Sequence, residues 1–67
     1  MLKKEKSYNF KIDEWVNFKP FPHVQDSGMF SAVILEVLKD DLFYDYKIFI
    51  NDKGIKKVRE ENLFSRI

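Results

Sequence analysis

Cysteine is absent from this sequence, and glycine, proline and histidine are scarce, at two, two and one residues. Without thiols there is no disulfide framework and no thiolate-ligated zinc, two of the usual supports for a short chain. Packing must hold the fold, and a cytoplasmic location is expected. No apolar run approaches the roughly 18 residues of a membrane span, and the basic start Met1-Leu2-Lys3-Lys4 has no apolar stretch after it, so a soluble protein that is not exported by a signal peptide is expected. Nor does one sign of charge dominate. Twelve Lys and Arg against eleven Asp and Glu leave a net charge of +1, too weak a field to draw the whole molecule to nucleic acid or anionic lipid. A charged partner must be met by a local patch.

What the chain does have is aromatic and apolar mass. Seven Phe, three Tyr and one Trp in 67 residues, with 45% apolar content, describe one folded domain and not a disordered tail. A chain this short buries only about 60% of its unfolded surface, so large aromatic side chains compensate for small size. Residues 1–7 are lysine-rich, lack a buried-face pattern and are read as a flexible basic arm, with one domain over 8–67.

The organising stretch is FYDYKIFINDKGIKKVREENLF, from Phe43 to Phe64. Tyr44, Tyr46, Ile48 and Ile50 alternate with Asp45 and Lys47, the period of a strand buried on one face. Asn51-Asp52-Lys53-Gly54 then fits a type I turn whose last residue is left-handed, a conformation open to glycine. Ile55 to Arg59 can pair back, and Arg59 to Asn62 is polar and too short for an independent helix, so a 3₁₀ turn is expected before Leu63 returns to the core.

Upstream, Val16 and Phe18 alternate around Asn17 after an Asp13-Glu14 turn, giving a first strand near Ile12, Trp15, Val16 and Phe18. Lys19 to Gly28 holds both prolines and is a loop of about ten residues, made ordered by those prolines. Met29 to Leu38, MFSAVILEVL, is helix or strand by periodicity alone, but its β-branched content and flanking turn residues favour a strand. If Ala32 and Ile34 face the core, they pair with Ile50 and Ile48, and Leu38 pairs with Tyr44. Val33, Leu35 and Phe49 then share the opposite face, either packed within a bent barrel or exposed as an interface patch. The sum is a five-stranded, strongly curved antiparallel barrel.

At these residues the chain resembles the SH3-like barrel superfold, and within it the Tudor and KOW branch. Lys11-Ile12-Asp13-Glu14-Trp15-Val16 is similar to the first Tudor strand, Phe30-Ser31-Ala32-Val33-Ile34 to the second, and Lys47 to Leu63 to the closing hairpin. Tyr44-Asp45-Tyr46 with the acidic-Gly turn and Glu-Asn-Leu also looks like small SH3-like proteins encoded by phages of low-GC bacteria. The resemblance implies that Phe21, Phe30 and Phe49 fall near the positions of an aromatic cage. The pattern departs from a cage at Asp52 and Gly54, so the three Phe are read as core or loop packing.

No enzyme is expected and no cofactor. His23 is the only histidine, without a Ser or Cys partner near it in sequence, and Asp40-Asp41 and Glu60-Glu61 lie at turns where acids are ordinary. Metal-ligand spacing and a Gly-rich phosphate loop are both missing. Three binding readings stay open. Trp15, Phe18, Phe21, Pro22 and His23 could form an aromatic groove wall for a protein partner, the leading expectation. Lys53, Lys56, Lys57 and Arg59 could meet nucleic acid in the KOW manner, or simply guard a hairpin edge. Val33, Leu35 and Phe49 could join two copies as a homodimer or seat the chain as a subunit of a larger assembly; otherwise it is a monomer.

Overall fold

The computed structural model describes residues 7–26 and 28–66, so of the basic arm read over 1–7 only Ser7 lies among the described residues. Five strands form one antiparallel sheet: β1 (Trp15–Phe18), β2 (Phe30–Val37), β3 (Tyr46–Ile50), β4 (Gly54–Val58) and β5 (Leu63–Ser65), in the order β4-β3-β2-β1-β5. A 3₁₀ turn at Glu60–Asn62 connects β4 to β5, as the short polar segment predicts. Among the described residues no helix is long and apolar enough to cross a membrane.

The period-2 pattern sorts the sheet into two faces. Val16 pairs with Ala32, Ala32 with Ile50, Ile34 with Ile48, and Tyr46 with Val58. All are buried, and Phe18 and Leu63 extend the same face through β5. Each buried aliphatic or aromatic side chain contributes about 1.5–3 kcal/mol. Val58 and Leu63, from the two edge strands, belong to one core cluster, so the sheet is curled round a common interior. Among the described residues no hydrogen-bonded pairing joins β4 to β5, and the curl is left open along that seam.

Two expected pairings, Ala32 with Ile50 and Ile34 with Ile48, are in place. The third is not. The register shifts between Ile34 and Glu36, so Val37 stands opposite Tyr46, and Leu38 donates its N–H to Asp45 O at 2.8 Å. Leu35 is the inserted residue of a β-bulge, which moves every later partner by one position. Tyr44 therefore lies before β3 and is 41% exposed, where alternation had placed it in the core.

The hairpin turn differs in type from the expectation. Lys53 N–H bonds to Ile50 O at 3.0 Å, and Asp52, third residue of that turn, has φ of 67°. A type I turn has negative φ there. Aspartate tolerates the left-handed region through its short polar side chain. Gly54 is left-handed as expected, with φ of 92°.

A polar cluster closes one end of the core. Asp45, buried, accepts the Glu60 N–H at 2.8 Å, and Tyr46 donates its hydroxyl proton to Glu60 Oε1. Glu60 also accepts from the Asn9 side chain at 2.8 Å, which ties the segment before β1 to the 3₁₀ turn. Burial, then the neighbouring Glu60 carboxylate, push the Tyr46 phenol well above its ordinary range.

Candidate binding groove

β1 ends at Phe18, whose ring is buried, and the chain then turns through Lys19, Pro20 and Phe21. Asn62 clamps this turn. Lys19 donates its N–H to Asn62 O at 2.8 Å, and the Asn62 side-chain amide donates back to Lys19 O at 2.9 Å and Pro20 O at 3.3 Å. Proline fixes its own φ, and Val24 N–H bonds to Phe21 O at 3.1 Å. The loop start is thus ordered, and Phe21 is left 62% exposed.

Facing it across the seam is β4. The space between is a cleft of about 540 Å³, lined by Phe18, Pro20, Phe21, Phe30 and Ile50 and on the other side by Lys53, Ile55 and Lys56. It continues past Phe18, Pro20, Phe21 and Lys56 into a second cleft of about 330 Å³, reaching Tyr44, Lys57, Val58, Arg59 and Asn62. The result is one groove with an aromatic and apolar floor and a cationic wall.

The cations of that wall are not equivalent. Lys53 Nζ sits 4.8 Å above the Phe30 ring centre, a cation–π contact within the groove. Lys57 Nζ approaches Asp41 at 3.8 Å, and Arg59 Nε donates to Phe43 O at 3.0 Å. Among the described residues, Lys56 makes no side-chain hydrogen bond or ion pair. It is the cation most open to an incoming acid.

The two residue sets that sequence reasoning kept apart therefore meet in part. Phe18 and Phe21 lie with Lys53, Lys56, Lys57 and Arg59 along the groove. Pro22 and His23 stand on the loop beyond the lining, and Trp15 belongs to the opposite face of the sheet, since Val16 and Phe18 point inward. Alternation alone could have placed Trp15 there. Of the three cage-position rings, Phe21 and Phe30 share the groove, whereas Phe49, paired with Val33 and Ile55, lies outside its lining. Leu35 is displaced by the bulge and is 37% exposed. Sequence reasoning missed Pro20 and Asn62 as groove residues; the Asn62 clamp joins positions 42 and 43 residues apart, and no local signal reports it.

One carboxylate of each adjacent pair has a structural task. Asp41 Oδ1 accepts the N–H groups of Phe43 and Tyr44 at 2.8 and 2.9 Å, and Glu60 belongs to the cluster at the end of the core. Among the described residues no three His, Cys, Asp or Glu come together in a way that could hold a metal ion. Comparison with protein-family models, with curated proteins and with solved structures finds no match to this chain.

Proposed function

We propose that this chain is a small non-enzymatic binding module of the SH3-like barrel type. Its groove takes an extended peptide segment of a protein partner, one that carries an acidic side chain beside apolar or aromatic ones. The strand order, the curl that brings β4 and β5 to one core, and the 3₁₀ turn between them support the barrel reading. Resemblance to small phage-encoded proteins supports a mobile-element origin.

The observation that carries the binding reading is the joining of Phe18, Pro20, Phe21 and Phe30 to Lys53 and Lys56 in one groove. Aromatic rings supply contact area at low entropic cost, and a partly desolvated lysine fixes the position of a carboxylate. β4 forms the rim as an edge strand, and its unpaired side offers backbone groups to an extended segment. Lys57, Arg59 and Lys53 already hold partners within the chain. A tract of phosphates, which needs several uncommitted cations, is matched less well than a peptide with one or two acids.

Nucleic acid is the second reading, favoured by the exposed ring of Phe21 beside Lys56, an arrangement that could stack a base next to a phosphate. The same experiment separates the two. Amide chemical shifts of the full chain are followed on adding short acidic–aromatic peptides or oligothymidylate. Shifts confined to the groove with peptide, lost in Phe21→Ala and Lys56→Glu and kept in Trp15→Ala, support the first reading. Saturable shifts with the oligonucleotide alone would transfer the groove to nucleic acid.

A further inference from the structure

The two clefts of the groove differ in chemistry. The first is lined by Phe18, Phe30 and Ile50 with Ile55 at its edge, and its own lysine, Lys53, is drawn over the Phe30 ring. The second adds Tyr44, Lys57, Arg59 and Asn62. Phe18, Pro20, Phe21 and Lys56 line both, so the clefts adjoin. Ile55 lies near the start of β4 and Arg59 just past its end, so the apolar cleft comes first along the strand and the polar one last.

The cations of the polar cleft are committed to different degrees. Lys57 is paired with Asp41. Arg59 uses its Nε–H on Phe43 O, which orients the guanidinium, while its two terminal amino groups make no hydrogen bond or ion pair among the described residues. Lys56 makes none either. The planar fork of those amino groups matches a carboxylate through two parallel bonds. β4 itself pairs with β3 alone, so its other edge carries backbone groups with no strand opposite them among the described residues.

On the peptide reading of the groove, we infer that the site has a direction: it takes an acidic residue placed two positions before an apolar or aromatic one. An extended segment added to the open edge of β4 pairs antiparallel, as every strand of this sheet does, and that pairing is the more stable per residue. Its earlier residues then lie beside Arg59 and its later ones beside Ile55. The carboxylate sits between Arg59 and Lys56, and the apolar side chain enters the cleft of Phe18, Phe30 and Ile50. Alternate residues of a strand share a face about 7 Å apart, a step suited to adjoining subsites. The reversed order would bring the acid to the cleft whose lysine already lies on the Phe30 ring, and the apolar side chain among Lys56, Arg59 and Asn62.

The test uses the full chain and two capped peptides of identical composition, with Glu two places before Phe among alanines in one and the order reversed in its twin. Each is titrated into the protein and followed by amide chemical shifts. The Glu-first peptide should bind about tenfold tighter than its twin, the effect of one charge-assisted pair. Arg59→Gln should remove that advantage, and Gln in place of the peptide's Glu repeats the test without touching the protein. A nitroxide on the N-terminus of the Glu-first peptide should broaden the amides of Lys57, Val58 and Arg59 more than those of Lys53, Gly54 and Ile55. Equal binding of the two peptides in the groove, a tighter twin, an advantage that survives both glutamine changes, or broadening strongest at Lys53 to Ile55 would each overturn the direction and leave the groove a peptide site. If neither peptide moves the groove amides, the peptide reading itself fails and the direction falls with it.

Discussion

The hydroxyl of Tyr46 donates a 2.5 Å hydrogen bond to Glu60 Oε1 and accepts one from the Phe10 N–H at 3.2 Å. Tyr46 itself is fully buried, with the rings of Tyr8 and Phe10 set edge-on at 5.8 Å. One side chain thereby joins the segment before β1, the middle of the sheet and the 3₁₀ turn.

A pH dependence follows. The folded-state phenol is raised above its unfolded value near 10, so its stabilising effect is complete below about pH 10 and is lost as pH climbs from there toward the folded value. Alkaline unfolding should therefore steepen from about pH 10, by at most about 1.4 kcal/mol per pH unit from this group. Tyr46→Phe should cost about 1–3 kcal/mol at neutral pH and flatten the alkaline limb. Denaturant melts at a series of pH values measure both; an unchanged limb would mean that another group is responsible.

The turn between β3 and β4 gives a paired prediction. Gly54→Ala meets no atom within 4 Å, so its cost is that of the left-handed backbone alone, about 1–2 kcal/mol. Asp52→Gly removes the same type of strain and should be neutral or stabilising by up to about 1 kcal/mol. Thermal midpoints should move by about 4–8 °C per kcal/mol in a domain of this size.

At the centre of the core, Ile48 is fully buried opposite Ile34. Ile48→Ala should cost about 2–5 kcal/mol. That approaches the whole stability of a chain this small, commonly about 3–5 kcal/mol from a single core. Circular dichroism at 25 °C should find the variant largely unfolded, whereas Ile55→Ala, on the exposed edge, should melt close to the parent.

Asn62→Ala should separate loop order from fold. It removes the bonds to Lys19 O and Pro20 O but leaves the Leu63 side chain in place. A stability loss of about 1 kcal/mol is expected, together with faster amide exchange over 20–26 and weaker peptide binding in the groove. Unchanged binding would show that the groove does not depend on this clamp.

Much of the fold was legible because strand alternation is a local signal. Val16, Phe18, Ala32, Ile34, Ile48 and Ile50 were assignable to one face from period alone, and facing residues of a hairpin must share a face. The shift at Leu35 was not legible, because the bulge carries no glycine to mark it. Tyr44 was misplaced because a run of alternating residues does not say where pairing stops. The groove was legible only in halves, since its walls come from residues 18–21 and 53–59, brought together by the curl of the sheet. Trp15 was grouped with Phe18 for being near and aromatic, though their positions in β1 have opposite parity.

The open seam between β4 and β5 has a dynamic consequence. β5 has three residues and, among the described strands, pairs with β1 alone, so it should be the first strand to exchange its amide protons with solvent. Asn62 immediately precedes it, and Leu63 begins it. Each excursion of β5 from the sheet would withdraw Leu63 from the core and release the carbonyls of Lys19 and Pro20 together. The lifetime of the groove is thus tied to the shortest of the described strands, and a ligand that holds the groove closed should slow exchange in β5 without touching it.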